Sequence, residues 1–373
     1  MTKKFFLAFA FFMTVIPTIF TNTKHDVTSD IDNRTLREFP MPGFGFMEGL
    51  NNYVNDRIGF RDEAITAYQI INDRLFHYLA HPLYEYGKDG WIMTRGWDDI
   101  QTFHLDLEEG FADRLALFMK QKQQFCNEKG ADFMFLLIPN KETVYPEYLS
   151  DGYNIIDQES KSEKIIHALE KEKVPNLYIL PKFNDLKDEM QLYNVKNDAG
   201  HWNETGMFYG NVELYDFLIK NFDPSIMPIN TDEFIVGTDT DRYLLQSRFP
   251  INEPRPYFKN KIEDYKTPET DQFLERVGDM GLERMPVYVV NDKLPEAPRL
   301  LVFGDSYFGH EMKFLGNHFS SVCYVHSLEI SHFNELVESF GPDIVIIEAT
   351  ERVVGPDEEI YDCFNDEVLA VNS

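Results

Sequence analysis

Cysteine is scarce in this chain: only three, Cys126, Cys323 and Cys363, occur among 373 residues. They lie far apart, and neither a C-x-x-C pair nor an H-E-x-x-H motif is present, so the spacing excludes a disulfide framework and the common zinc sites. Cys126 and Cys323 stand in apolar segments and are predicted to be buried thiols. No cofactor motif occurs either, so the sequence predicts neither a bound metal nor a cofactor.

Positive charge is also in short supply. Lys and Arg total 35 against 63 Asp and Glu, which gives a formal net charge of −28 at pH 7. A surface this acidic repels phosphate backbones, so we expect no nucleic-acid partner. The same field disfavours a polyanionic substrate unless a local basic groove overrides it.

One long apolar run is present, from Phe5 to Phe20, and it follows the basic pair Lys3-Lys4. This pattern is typical of an export segment, although no A-x-A cleavage site follows. Residues 1–22 are therefore a signal-anchor or a cleaved signal peptide, and the rest of the chain is expected to work outside the cytoplasmic membrane. Residues 23–43 are polar and predict a tether, and residues 44–373 predict the functional domain.

Beyond residue 108 the apolar pattern alternates between helical and strand periods. Continuous Val, Ile, Leu and Phe runs of strand length are typical of buried parallel strands, and they stand at 133–138, 177–180, 300–303, 322–325 and 344–347. We therefore predict an α/β fold with a mostly parallel sheet and helices on both faces. Residues 223–297 break this rhythm and predict an inserted segment.

A possible nucleophile follows one of these runs. Gly304-Asp305-Ser306 places a serine at the carboxyl end of a predicted strand, where open α/β sheets bind their ligands. Gly, Asp and Ser are also ordinary turn residues, so the tripeptide alone leaves a simple turn equally open.

A possible base and its orienting carboxylate come about a hundred residues earlier. Asp198 and His201 are three positions apart, a spacing that puts both side chains on one face of a helical turn. The carboxylate can then hold one imidazole nitrogen while the other points at a serine, as in a catalytic triad. A solvated surface pair is the other interpretation. Trp202, next in the chain, is untypical of a solvated surface.

Four further residues are candidates for contacts with a substrate. Lys141, Tyr145 and Arg352 follow predicted strands, where they either line a sugar cleft or satisfy loop carbonyl groups. Trp202 is included because it adjoins the predicted base.

These residues carry a family resemblance. Gly-Asp-Ser with Asp-x-x-His resembles the SGNH hydrolase superfamily, and the order Asp, His, Ser is similar to the AlgJ/AlgX group of polysaccharide O-acetyltransferases and its Gram-positive DHHW relatives. Further segments resemble this group at 55–62, 87–92, 138–147 and 342–352. The resemblance as a whole extends over residues 45 to 354. The group usually shows D-x-H-W, whereas two residues separate Asp198 and His201 here. Asp198 remains the better candidate, because Asp305 adjoins the nucleophile.

The resemblance implies an SGNH-like, flavodoxin-like fold and transfer of acetyl groups to hydroxyls of an exported cell-surface polysaccharide. It also implies a membrane-bound O-acyltransferase that supplies the acetyl group. Two other functions stay open. One is a carbohydrate acetylesterase with the same three residues, and the other is a non-catalytic polysaccharide-binding or assembly subunit, whose support is the unusual Asp-x-x-His spacing.

Overall fold

A computed structural model of the chain describes residues 2–29, 31–32, 34–95, 110–151, 159–269 and 271–354. The chain divides into two compact units. Unit 1 comprises Met1–Tyr86 with Thr240–Glu253, and unit 2 comprises Gly87–Asp239 with Pro254–Ser373. Of the three cysteines, Cys126 and Cys323 are buried and unpaired as predicted, and Cys363 lies outside the described residues.

Unit 1 is mainly helical. Its elements are α1 (Thr2–Ile19), β1 (Thr28–Ser29), β2 (Arg34–Thr35), α2 (Phe46–Arg57), α3 (Arg61–Phe76) and β3 (Tyr84–Tyr86). Over the described ranges, none of the helices combines the length and the apolar character needed to cross a membrane.

The segment predicted as a tether, residues 23–43, is folded within unit 1. Its strands β1 and β2 pair antiparallel with Thr28 opposite Thr35. Leu36, directly after β2, is buried and donates its N–H to the carbonyl of Val27. The division between the units therefore falls at Tyr86 and differs from the boundary predicted at residue 43. Whether residues 1–22 serve in export stays a prediction.

Unit 2 contains the remaining elements, except that residues 240–253 at the tip of one hairpin belong to unit 1. Its strands are β4 (Ile92–Thr94), β5 (Asp132–Ile138), β6 (Asn176–Tyr178), β7 (Phe234–Tyr243), β8 (Pro250–Asn260), β9 (Val287–Val290), β10 (Arg299–Gly304), β11 (Ser321–His326) and β12 (Ile344–Thr350). Its helices are α4 (Phe111–Glu128), α5 (Lys141–Val144), α6 (Lys161–Lys171), α7 (Leu180–Leu186), α8 (Glu204–Asn221), α9 (Gln272–Met280), α10 (Met312–Leu315) and α11 (Phe333–Phe340).

Six of these strands form one sheet in the order β6-β5-β12-β10-β11-β9. All neighbouring pairs are parallel except β11 with β9, which is antiparallel. The predicted α/β fold with a mostly parallel sheet is thereby confirmed.

Side chains alternate along the strands between two hydrophobic cores, because successive residues of a strand point to opposite faces of its sheet. On β12, Ile344 and Ile346 belong to one core, whereas Val345 and Ile347 belong to the other. Helix α8 contributes Leu214 to the first core and helices α4 and α11 supply the second. Both faces of the sheet are therefore covered, as predicted for strands with unbroken apolar runs.

The predicted insertion at 223–297 needs a correction. It contains the paired strands β7 and β8 and helix α9, but its end, β9, is an edge strand of the main sheet, with Val290 opposite Ser321 of β11. Four residues between a proline and a polar turn give too short a run to be distinguished from a loop by periodicity alone.

Candidate active site

Ser306 lies just beyond the carboxyl end of β10, one of the two middle strands of the sheet. Its strand, β10, is flanked by β11 and β12, both parallel to it, so three carboxyl ends meet at this edge. Ser306 is exposed, and its Oγ lies 2.9 Å from Nε2 of His201. This is the edge at which ligands bind in open α/β sheets.

The turn that presents Ser306 requires glycine at position 304. A Cβ atom there would stand 2.6 Å from Oε2 of Glu348, a distance that real Cβ contacts do not reach. The same Oε2 accepts the N–H of Asp305 at 2.9 Å. Full burial raises the pKa of Glu348 well above its ordinary value.

Asp305 fixes the turn with both of its carboxylate oxygens. Oδ2 accepts the N–H of Thr350 at 2.9 Å and its hydroxyl at 2.6 Å, and Oδ1 accepts the N–H of Tyr307 at 2.8 Å. The hydroxyl of Tyr324 donates to the carbonyl of Asp305 at 2.7 Å. The carboxylate beside Ser306 therefore holds the backbone in place and is not directed at His201.

Asp198 and His201 come together in a turn before helix α8. Oδ2 of Asp198 lies 2.9 Å from Nδ1 of His201, and Oδ1 accepts the N–H of Gly200 at 2.9 Å. Burial by itself would raise the pKa of Asp198, but the charge of His201 and the hydrogen bonds from His201 and Gly200 outweigh it and lower the pKa. An ionised Asp198 favours the proton on Nδ1, which leaves Nε2 free to accept the Ser306 hydroxyl proton.

Arg352 connects the two halves of this site. Its Nη1 donates to the carbonyl of Gly200, next to His201, and its guanidinium carbon lies 4.8 Å from the ring centre of Tyr307, next to Ser306. A Cβ atom on Gly200 would approach Nη1 to 3.1 Å, so glycine permits this close contact. Of the two interpretations of Arg352, a residue lining a sugar cleft or a partner of loop carbonyls, its contacts with the Gly200 carbonyl and the Tyr307 ring fit the second.

Trp202 is buried beneath the site. Its ring packs against Tyr307 and Phe183, with ring centres 5.6 and 6.1 Å away. A Cβ atom on Gly210 of helix α8 would come within 2.6 Å of the indole, so this helix approaches the ring through a glycine. Trp202 therefore supports the turn that carries His201, and its 4% exposure leaves no face for a sugar.

Lys141 and Tyr145 are also corrected as candidates for direct substrate contacts. The Nζ of Lys141 is fully buried, donates to the carbonyl of Ile92 at 2.6 Å and lies 5.0 Å from the ring centre of Trp91. The hydroxyl of Tyr145 accepts the N–H of Leu192 at 3.1 Å, and burial raises the pKa of this phenol to about 12. Lys141 also donates to the loop carbonyl of Val195 at 3.3 Å, so both side chains bind backbone groups, which was the other interpretation of their positions.

Three residues of the site were missed by sequence reasoning: Tyr324, Glu348 and Thr350. Glu348 carried a signal, because a carboxyl group directly after four apolar residues of a buried strand is unusual. Tyr324 and Thr350 carried none, since both residue types are common in strands. Over the described ranges, no cluster of three or more His, Cys, Asp or Glu side chains is arranged to hold a metal ion.

Comparison with known proteins gives three findings. Residues 85–211 match the model of a family described as "SGNH hydrolase-like domain, acetyltransferase AlgX". The chain is similar in structure to Bacillus cereus PatB1 (TM-score 0.54, 14% identity, 72% of this chain and 96% of that one). It is also similar to the O-acetyltransferase domain of Pseudomonas putida AlgJ (TM-score 0.50, 16% identity, 78% and 99%). No curated sequence matches at a significant level.

The family match confirms the resemblance predicted from the motifs. The identities to PatB1 and AlgJ are low, so these two structures show a shared fold and nothing finer. The SGNH-like fold class is thereby confirmed.

Proposed function

We propose that this protein is an O-acetyltransferase that acetylates hydroxyls of an exported cell-surface polysaccharide. The match of residues 85–211 to the family of SGNH hydrolase-like, AlgX-type acetyltransferase domains supports this proposal. The observation that carries the proposal is the unbroken hydrogen-bonded row from Ser306 through His201 to Asp198, with 2.9 Å at each step. This arrangement activates a hydroxyl for acyl transfer. Asp198 and His201 form their hydrogen bond although two residues separate them. The unusual spacing therefore does not argue for a non-catalytic polysaccharide-binding subunit.

In the first half of the proposed reaction, Oγ of Ser306 attacks the carbonyl carbon of an acetyl donor. Nε2 of His201 takes the hydroxyl proton, and Asp198 stabilises the imidazolium through Nδ1. When the tetrahedral intermediate collapses, the bond to the leaving group breaks and the leaving group takes that proton. An acetyl ester on Ser306 remains.

In the second half, a sugar hydroxyl attacks this ester. His201 accepts the hydroxyl proton and returns a proton to Oγ of Ser306 as the ester bond breaks, which regenerates the enzyme. The developing oxyanion in both halves would be held by the N–H of Ser306. The other N–H groups of this turn already donate hydrogen bonds within the protein; they belong to Asp305, Tyr307 and Phe308. Losing one such donor typically costs on the order of 10²- to 10³-fold in rate.

The setting of this reaction is also a proposal. The apolar N-terminal run supports work outside the cytoplasmic membrane, either anchored or secreted after cleavage. The AlgX-type family resemblance supports a membrane-bound O-acyltransferase as the supplier of acetyl groups. The net charge of −28 favours a neutral or weakly charged glycan as the acceptor over a polyuronate.

One observation favours the acetylesterase as the second candidate. Ser306 is exposed and the His201 side chain retains 31% exposure, so water can reach an acetyl ester on Ser306. Hydrolysis and transfer would then share every protein group and differ in the acceptor alone.

The test combines both outcomes in one assay. The full chain is incubated with an activated acetyl ester and either a neutral or a uronate oligosaccharide, while mass spectrometry follows acetate, acetylated sugar and the peptide containing Ser306. We expect an acetyl group on Ser306 and transfer to the neutral sugar in excess of acetate release. Acetate release without transfer would make the esterase the better description, and absence of the acetylated peptide would contradict the serine mechanism.

Arg352 should act as a positioning residue in this reaction. Arg352→Met removes the donor to the Gly200 carbonyl, so the His201 turn should lose its alignment. Misplacement by about 1 Å can cost roughly 100-fold in rate, so we expect kcat to fall about 10- to 100-fold with little change in KM. Added guanidinium should restore part of the rate. Arg276→Met, at an exposed position on helix α9, is the matched control; an equal loss in both variants, or no rescue, would contradict this role.

A further inference from the structure

The apolar surface of this protein is concentrated in unit 1. The apolar side chains of helix α1 that stand in solvent are 56% to 75% exposed, from Phe9 to Phe5. Phe20, directly after the helix, is 62% exposed, and Phe60 at the start of helix α3 is 48% exposed. Contiguous apolar surface of this kind is typical of a binding surface for lipid or protein.

Helix α1 is attached to the rest of unit 1 at its C-terminal end. The N–H of Gly59 donates to the carbonyl of Pro17 at 3.0 Å, and the N–H of Asn22 donates to the carbonyl of Arg57 at 2.8 Å. The rings of Phe20 and Phe60 lie 5.1 Å apart. A Cβ atom on Gly59 would stand 2.5 Å from Cβ of Phe20 and 2.8 Å from the Pro17 carbonyl, so glycine is required at this junction.

Arg57 holds the segment that follows α1. Its guanidinium is fully buried and donates to the carbonyls of Arg37 at 2.6 Å and Leu36 at 3.2 Å, to that of Lys24, and to the Glu38 carboxylate at 2.5 Å. One side chain thereby fastens both ends of residues 24–38. A guanidinium suits this role because it presents five donors in a fixed plane.

Asp56 fastens the same segment from its other side. Its two oxygens accept Nη1 and Nη2 of Arg34, each at 2.8 Å, and Oδ2 also accepts the N–H of Arg37 at 3.0 Å. The hydrogen bond from Arg34 is the main reason that the pKa of Asp56 falls to about 2. The segment 55–62, which the proposed mechanism does not use, is therefore a clamp: Asp56 and Arg57 hold residues 24–38, and Gly59 and Phe60 hold the end of α1.

We propose that unit 1 docks onto a lipid bilayer as one rigid module, with helix α1 and the junction residues Phe20 and Phe60 entering the same lipid surface. Charge supports a bilayer as the occupant. The first 25 residues contain Lys3, Lys4 and Lys24 and no acidic residue, whereas the whole chain carries a net charge of −28. A Phe-rich helix with Lys3 and Lys4 in its first turn and Lys24 shortly after its end is suited to the boundary between head groups and acyl chains. If α1 were instead joined to the rest of unit 1 by a flexible tether, Phe60 would stay in water when α1 binds the bilayer.

The test measures depth in the membrane with tryptophan. Full-length chains carrying Phe9→Trp on α1, Phe60→Trp at the junction or Val236→Trp on unit 2 are bound to vesicles of phosphatidylcholine and phosphatidylglycerol with brominated acyl chains. Val236 is 53% exposed and matches Phe60 in exposure. We expect roughly two-fold quenching at positions 9 and 60, because interfacial side chains lie about 5–10 Å deep, and none at position 236.

A second variant tests the clamp. Gly59→Ala should displace the end of α1 while leaving Arg57 and its partners in place, so quenching at position 60 should fall while quenching at position 9 persists. Quenching at position 9 but not 60 in the parent chain would show a flexible anchor and overturn the proposal. An intact mass lacking the first residues, or vesicle binding only when a membrane protein is added, would also overturn it. Failure of the acetyl-transfer assay has no bearing on this inference, which uses no residue of the candidate active site.

Discussion

Replacing Ser306 with alanine is expected to abolish acetyl transfer and acetate release together. Ser306 is the only group in the proposed reaction that forms a covalent bond to the acetyl carbon, and His201 then has no hydroxyl proton to take. Loss of the nucleophile in serine enzymes costs roughly 10⁴- to 10⁶-fold in kcat. The measurement is the rate of acetyl transfer to an oligosaccharide, with acetate followed in the same sample.

The control for Ser306→Ala is Ser225→Ala, which removes another exposed serine hydroxyl from a loop of unit 2. Both variants should keep the melting temperature of the parent chain, since Ser306 and Ser225 are both exposed. If Ser306→Ala kept more than a small fraction of the parent rate, with no loss in Ser225→Ala, the acetyl-serine mechanism would be wrong. The match of residues 85–211 to the AlgX-type family would stand, and the function would have to be sought in binding.

The second large effect is expected for Asp198→Asn. An amide in place of the carboxylate can donate to Nδ1, which favours the imidazole tautomer that has its proton on Nε2 and cannot accept from Ser306. The corresponding change in a serine protease costs about 10⁴-fold in kcat, and a loss of similar order is expected here. The measurement is kcat for acetyl transfer across the pH range in which the parent chain is active.

The direction of the pKa shift of Asp198 predicts how the activity of the Asp198→Asn variant depends on pH. The pKa of Asp198 lies below the ordinary value of an aspartate, so the carboxylate is ionised throughout the neutral range and contributes stability that is lost only as pH falls through its lowered pKa. Asp198→Asn should therefore be inactive at every neutral pH, without recovery at high pH. Asp216→Asn, an exposed change on helix α8, should have no effect. Recovery of the rate at high pH would show that the carboxylate acts on another group.

Asp198 and Asp305 show that the carboxylate nearest to Ser306 in the sequence is not the one that binds His201. Asp305 adjoins the nucleophile, yet both of its oxygens are occupied by backbone and hydroxyl groups of Thr350 and Tyr307. Asp198 lies 108 positions before Ser306 and meets His201 at 2.9 Å. The extra residue between Asp198 and His201, compared with the usual D-x-H-W pattern, is accommodated by a turn in which the N–H of Gly200 donates a hydrogen bond to the same carboxylate.

The substrate-contact candidates show where sequence reasoning stopped. Lys141, Tyr145, Trp202 and Arg352 were chosen because they follow strands or adjoin the base, and strand ends do meet at one edge. Position along the chain gives no direction for a long side chain, however. In the structure these four turn inward, where they bind loop carbonyls, accept an N–H or pack beneath the His201 turn. Arg352 and Trp202 thereby contact the Ser306 and His201 turns, whereas Lys141 and Tyr145 bind backbone groups elsewhere.

The sequence by itself determined the class of fold, the strands of the sheet apart from β9, and the three residues that meet at its carboxyl edge. These features depend on local periods and turn residues, which are written in contiguous stretches of chain. Only the tertiary structure decided that Glu348, Tyr324 and Thr350 fix the Ser306 turn, and that residues 24–38 are clamped rather than extended as a tether. Such contacts join residues 19 to 45 positions apart, and their free energy depends on burial and mutual orientation, which no local pattern encodes.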